Sequence, residues 1–220
     1  MFDASIYIRR REGLAAQFER GVLLFLGNAD SPMNYADNTY HFRQDSSFLY
    51  YWGVDDPNLA AVIDLDEGRQ TLFGDDFTLD DIVWRGPQPT IAERASRAGV
   101  TDTAPFVELA ARLSRAVAAG RRLHFLPQYR ADNVHLVARL TGLRCESVNE
   151  HASVAFVKAV VGQRARKSAE EIAEIEAALE VAHETHVMAM RLARPGRYER
   201  EIVGAVTGVV EARGLHLAFP

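Results

Sequence analysis

The chain of 220 residues is poor in several things that would point to a function. It has a single cysteine, Cys145, so neither an internal disulfide nor a cysteine-based zinc site can be built from it. Its only lysines are Lys158 and Lys167, and the net charge is −5. That leaves no surplus of cations for gripping a nucleic-acid backbone. The longest apolar runs, 22–26 and 59–63, fall far short of the ~20 residues a membrane-spanning helix requires. Residues 1–11 carry charge but no apolar stretch, so no signal peptide is expected. The glycine patterns G-x-x-x-x-G-K-S/T, G-x-G-x-x-G and G-x-S-x-G are absent, which removes support for a phosphate cradle or a hydrolase elbow. A cytoplasmic protein with a reduced thiol is the expectation.

What is present is ordinary globular composition, 48% hydrophobic and 25% charged, which excludes disordered and fibrous classes. At this size a chain buries about 70% of the surface it exposes when unfolded. Apolar spacings of three and four predict a helix over 6–20, closed by Gly21. Residues 22–26 read as a buried strand, and 27–40, rich in Asn, Asp, Ser and Pro, as a long loop. Residues 48–52 and 60–65 are the next strand candidates. The turn Asp66-Glu67-Gly68 brings the chain back into 70–73 as an antiparallel hairpin. After a loop over 74–89, helical patterns at 91–97, 105–118 and 131–140 alternate with extended segments at 123–126 and 143–147. The alternation predicts a layered α/β domain, and the hairpin makes its sheet mixed.

Near residue 160 the texture changes. Residues 158–167 gather both lysines with Arg164 and Arg166 and read as a solvated junction, placing a domain over 1–162 and a second segment over 163–220. Ser168-Ala169-Glu170-Glu171 is a capping box that opens a helix. That helix carries Ile172, Ile175, Leu179, His183, His186 and Met190 on one stripe and ends at Pro195-Gly196. A second helix over 198–213 places Ile202, Val206 and Val209 inward before Gly214. Residues 215–219 look like the start of a strand. Two helices and a strand stub bury little, so they read as the opening of a larger domain.

Few local features carry chemistry. His183-Glu184-Thr185-His186 falls one residue short of the metalloprotease spacing H-E-x-x-H, and its histidines read as packed helix residues. The pairs Asp55-Asp56, Asp75-Asp76 and Asp80-Asp81 could hold a divalent cation but more simply solvate turns and cap helices. Cys145, in an expected strand, reads as an inert buried thiol. The densest segment is Y-H-F-R-Q-D-S-S-F-L-Y-Y-W-G-V at 40–54. On residue types alone it is core packing, with an arginine paired to a carboxylate such as Asp45.

That segment resembles the N-terminal-domain signature of the aminopeptidase P (Xaa-Pro aminopeptidase) family. It departs at Ser47, where an acidic or amide residue is usual, and at Trp52. A second match follows in the expected order: R-A-R-K-S-A-E-E-I-A-E-I at 164–175 and R-P-G-R-Y-E-R-E-I at 194–202 are similar to the opening of that family's pita-bread catalytic domain.

The resemblance implies a creatinase-like α/β domain with a layered mixed sheet flanked by helices, then two helices opening a truncated catalytic domain. It implies removal of the N-terminal residue from peptides with proline second, by two divalent ions, manganese as a rule, that activate a bridging water. In relatives the metal ligands all follow the R-P-G segment, so the resemblance implies no metal ligand and no catalytic residue within 1–220. It implies substrate-binding roles for Asp37, in A-D-N-T-Y at 36–40, and for Trp84, in V-W-R-G at 83–86, both presented to a neighbouring subunit. A homo-oligomer, dimer or tetramer, is expected, with Xaa-Pro peptides as partners of the full-length enzyme and no nucleic acid or membrane. Other readings are a proline dipeptidase, a creatinase-like hydrolase fragment, or a non-catalytic assembly module using the 172–190 stripe. The 220 residues alone are expected to hydrolyse no Xaa-Pro peptide with or without manganese; turnover by pure material in a peptide-release assay would refute this.

Overall fold

The computed structural model describes residues 1–218, which fall into two compact units, the first Met1–Ala165 and the second beginning at Arg166. The first is built on five strands: β1 (Val22–Leu26), β2 (Ala60–Asp64), β3 (Arg69–Phe73), β4 (Asp102–Ala104) and β5 (Leu123–Phe125), in the order β4-β3-β2-β1-β5. β2 runs antiparallel to β1 and β3, whereas β5 is parallel to β1 and β4 to β3. The expected mixed sheet is therefore present.

All five residues of β1 are buried, because both faces of the sheet are covered. Leu23 and Phe25 point to one side with Ala61, Ile63 and Leu72. Val22, Leu24 and Leu26 point to the other with Ala60, Val62 and Phe73. The helices, in chain order, are α1 (Ala4–Ala15), α2 (Ser46–Trp52), α3 (Leu79–Arg85), α4 (Ile91–Ser96), α5 (Glu108–Ala118), α6 (Ala131–Thr141) and α7 (Val154–Ala165). Core residues of α1, α2, α4 and α7 pack on the first face. Those of α5, α6 and a 3₁₀ helix, Cys145–His151, pack on the second.

The structure corrects several expectations. Residues 48–52 are not a strand but part of α2. The Asp45 carboxylate accepts from the Ser47 and Phe48 backbone N–H groups at 2.9 Å, and Gly53, in the left-handed region at φ 62°, caps the other end. Phe48, Tyr51 and Trp52 are buried, at a helical spacing that the aromatic content disguised. A Cβ at Gly53 would also strike the Tyr7 ring at 2.4 Å. Residues 143–147 are not extended. Gly142 caps α6 in the left-handed region and the chain enters the 3₁₀ helix, where Cys145 is half-buried with its Sγ 3.2 Å from His135 Nδ1. Residues 158–165 are helical, the body of α7, anchored by buried Phe156, Ala159 and Val160 while Lys158 faces solvent, and the division between the two units falls after Ala165, within the 158–167 stretch. α1 stops at Ala15, short of residue 20, because tight turns from Gln17 to Leu14 and from Phe18 to Ala15 end it.

In the second unit α8 (Ala169–Leu192) and α9 (Glu199–Glu211) lie against each other, and Arg213 donates to Glu184. The expected capping box at Ser168 is formed. The stripe Ile172, Ile175, Leu179, Met190 is exposed, and so are His183 and His186. The histidines are therefore not packed. Burial on α8 centres on Thr185, flanked by half-buried Ala182, Met188 and Ala189. Residues 215–218 form no strand, and Phe219 lies outside the described residues.

Two buried basic side chains of the first unit hold α1 and β5. Arg11 is wholly buried. It donates from Nη1 to the Tyr51 carbonyl and from Nη2 to the Ala98 carbonyl, both at 2.8 Å, and from Nε to Gln70 Oε1 at 2.6 Å. Burial brings its guanidinium down to about 10, which leaves it charged at neutral pH. His124, on β5, has Nδ1 2.7 Å from Ser153 Oγ and its ring edge-on to Phe18. Burial, and then repulsion from Arg122, hold its pKa below the ordinary histidine value. The unfolded chain therefore takes up this proton first as pH falls through about 6.5, and the folded state loses stability below that point. Urea unfolding is expected to show lower stability at about pH 5.5 than at about pH 7.5, with a smaller difference in His124→Gln. An identical pH dependence in both proteins would refute the assignment.

Candidate functional site

The carboxyl ends of β1, β3, β4 and β5 lie at one end of the sheet, since only β2 runs the opposite way. A buried amide at this end ties the loop after β1 to the loop that leads from α2 into β2. Gln44 Oε1 accepts from the backbone N–H of Asn28 at 2.8 Å and of Asp45 at 2.9 Å. Its Nε2 donates to the carbonyls of Asp56 at 2.8 Å and Val54 at 3.4 Å. All four bonding directions of the side chain are used. Asn28, also buried, donates from Nδ2 to the Arg43 carbonyl and accepts from Asn58 N at its own carbonyl. Asn58 is the one non-glycine residue described with positive φ, 60°, a conformation asparagine tolerates.

The loop after β1 is closed by a bridge between Pro32 and Thr39, with Met33 N donating to Asn38 O and Tyr40 N to Ser31 O. Asp37 sits in the turn at its tip and is exposed, as are Met33, Tyr35 and Tyr40. The loop after β3 carries α3, which has no buried residue. Thr78 and Asp81 form a capping box at its start, and the Thr78 hydroxyl holds the Asp81 carboxyl below the usual carboxylate range. Trp84 is 87% exposed, beside exposed Val83 and Leu79. Among the described residues neither the Asp37 nor the Trp84 side chain has a hydrogen-bond, ionic or ring partner.

The acidic pairs serve these loops. Asp75 Oδ1 accepts from Phe106 N at 3.1 Å and Asp76 Oδ1 from Ile91 N at 2.6 Å. Arg94, buried on α4, donates to the Asp75 carbonyl at 2.9 Å, approaches Asp56 at 3.5 Å and lies over the Phe77 ring. A cleft of about 190 Å³ separates the bases of the two projections. Asp30 of the Asp37 loop lines one side, and Asp81 and Arg85 of α3 line the other. The structure thus brings the roots of the two projections to one cleft and leaves their tips exposed. Arg43 and Asp45 of the aromatic segment are positioned by this scaffold, and Asp45 acts as a helix cap.

The sequence pattern did not single out Gln44 and Arg94 as anchors, because buried polar residues follow no periodicity. Their neighbours in the chain gave no signal either, since Gln44 stands between Arg43 and Asp45, and Arg94 follows Glu93. Among the described residues no group of three or more His, Cys, Asp or Glu side chains is arranged to hold a metal ion. No helix is long and apolar enough to cross a membrane. Gln44→Glu keeps the shape of the side chain but turns its two donors into a carboxylate facing the Asp56 and Val54 carbonyls. Chemical denaturation is expected to show a loss of at least about 2 kcal/mol, and wild-type stability would refute the clamp.

Comparison with known proteins agrees with this architecture. The model of the family "Aminopeptidase P, N-terminal domain" matches residues 7–124. An Escherichia coli Xaa-Pro aminopeptidase is 27% identical over 90% of this chain and 47% of its own length. A probable Xaa-Pro aminopeptidase of Emericella nidulans is 27% identical over 97% of this chain and 45% of its own. The chain thus spans about half the length of these curated relatives. Among solved structures, the low-pH form of E. coli aminopeptidase P superposes with a TM-score of 0.79 at 24% identity, covering 97% of this chain and 50% of that one. A zinc-substituted form of the same enzyme in complex with product gives 0.78 at 22% identity, with the same coverage. With the family model covering more than half of the 220 residues, the chain belongs to the aminopeptidase P N-terminal-domain family.

Proposed function

We propose that this chain is the N-terminal portion of a cytoplasmic Xaa-Pro aminopeptidase and supplies its scaffold and the rim of its active site. The observation that carries the reading is the family match over 7–124, extended by relatives named as Xaa-Pro aminopeptidases along nine-tenths of the chain. Two divalent ions, manganese in this reading, would provide the hydrolytic water when bound. The residues here do not fit such a site. No suitable donor group is gathered among those described, and His183 and His186 are exposed on α8 without a third ligand. The ions would be held by the part of the relatives that this chain does not span, and no chemical step is assigned to residues 1–218.

The rim roles are physical. An exposed carboxylate at Asp37 can pair with the free α-ammonium of a peptide, which makes the enzyme count from the N-terminus. The Trp84 indole offers a flat apolar wall for a proline ring. An indole 87% exposed on a helix that buries nothing is costly in water, so its placement makes sense where another subunit or a substrate covers it. That argument supports a homo-oligomer, dimer or tetramer. In a polypeptide continued to the length of its relatives, Asp37→Ala and Trp84→Ala are each expected to lower kcat/KM for Xaa-Pro peptides about ten- to a hundredfold. Unchanged kcat/KM in both would remove the pair from the site.

A further inference from the structure

The projection that carries Trp84 has no buried residue from Thr78 to Gln88, so its own packing does little to set the direction in which it leaves the sheet. That direction is decided at its root, residues 74–77. Gly74 N donates to the Ala104 carbonyl at 3.0 Å, and a Cβ on Gly74 would come within 2.4 Å of Leu59 and 2.9 Å of Ile91. The chain therefore leaves the body of the domain at a tight spot, and the next few contacts aim it.

One side chain supplies three of those contacts. Arg94, on α4, donates from Nη2 to the Asp75 carbonyl at 2.9 Å, places Nη1 3.5 Å from the Asp56 carboxylate and sets its guanidinium 5.1 Å from the centre of the Phe77 ring. Asp56 leads on to the other projection. Its carbonyl accepts from Gln44 Nε2, and Gln44 Oε1 accepts from the Asn28 N–H at the base of the Asp37 loop. A single guanidinium thus stands between the roots of both projections. Stability alone does not account for it. Arg94 is 6% exposed, and its Nε–H meets no acceptor among the described residues. A buried donor without a partner is a cost, and an apolar side chain of similar length would fill the space without it. No apolar side chain holds a carbonyl, a carboxylate and a ring at once, and a lysine ammonium lacks the planar fork to do so.

We propose that Arg94 is a positioning residue that fixes the angle of the Trp84 projection and, through Asp56 and Gln44, its separation from the Asp37 loop. The inference rests on the rim reading above for its effect on catalysis, but not for its effect on distance. The distance is tested on the 220-residue protein with nitroxide labels on Asp37→Cys and Trp84→Cys in a Cys145→Ser background, read by pulsed dipolar spectroscopy after dilution with unlabelled protein. Arg94→Met is expected to make the interspin distribution at least about twice as wide. Its urea midpoint is expected to stay at or above that of the parent, because Asp75 is exposed and the Asp56 carboxylate open enough to hydrate. Leu113→Val, in the core on the opposite face of the sheet, is expected to lower the midpoint and leave the distribution unchanged. If Arg94→Met does not fold, Phe77→Ala removes the half-buried ring beneath the guanidinium and is expected to widen the distribution as well. An unchanged distribution in the folded variant, or equal widening in Leu113→Val, would overturn the proposal. In a polypeptide of the relatives' length, Arg94→Met is expected to lower kcat/KM for Xaa-Pro peptides about tenfold, and by less than about twofold when Trp84→Ala is already present. A widened distribution with unchanged kcat/KM would leave the positioning standing and overturn the rim reading instead.

Discussion

One buried amide sets the functional end of this molecule. Gln44 ties the loop after β1 to the loop that leads from α2 into β2, and each of its bonds goes to backbone, so the loops are tied by geometry rather than by side-chain identity. Inside a low-dielectric core an unsatisfied backbone group costs far more than a satisfied one gains. The clamp is therefore all-or-none in effect: with it the chain leaves the sheet in fixed directions, and without it four backbone groups lose their partner together. Asn28 and Asp45 extend the same logic on either side, one holding the exit of β1 and the other starting α2.

The consequence is a division of labour within the aromatic segment at 40–54. Its apolar members, Phe48, Tyr51 and Trp52, fill the first-face core, and its polar members position loops. None of them is placed to do chemistry. Asp37 and Trp84, the residues proposed for the rim, stand on exposed projections, and the helix that carries Trp84 buries no residue. A family signature of this kind marks the scaffold that aims a site and not the site itself, because packing and buried hydrogen bonds restrict residue choice more tightly than an exposed rim does.

The two faces of the sheet also explain where the molecule keeps empty space. β1 and β5 send their chains to opposite faces, and the gap that opens between them is bridged only at points, by Tyr129 to Asn28 and by Asn133 to the Gly27 carbonyl. A crevice of about 310 Å³ beside α7 follows from that topology, lined by Asp45 of the α2 cap and Arg164 of the last turn of α7. The loop cleft near α3 arises differently, from carboxylates and Arg94 spent on anchoring neighbouring segments.

Much of the fold was legible in the chain itself. The all-apolar β1, the hairpin around Asp66-Glu67-Gly68, the helices over 91–97 and 131–140 and the capping box at Ser168 are local patterns, and local physics decides them. The family resemblance was legible for the same reason, as two motifs in order. Tertiary structure alone decided what the patterns left ambiguous. It made 46–52 a helix, since a short aromatic run satisfies either period and the caps at Asp45 and Gly53 settle it. It made 154–165 a core helix and turned the 172–190 stripe outward, since a sequence shows which residues share a face but not what that face meets. It buried Arg11, third in a run of arginines, by enclosing it with carbonyls that lie 40 or more positions away along the chain, and such long-range partners leave no mark in the neighbouring sequence.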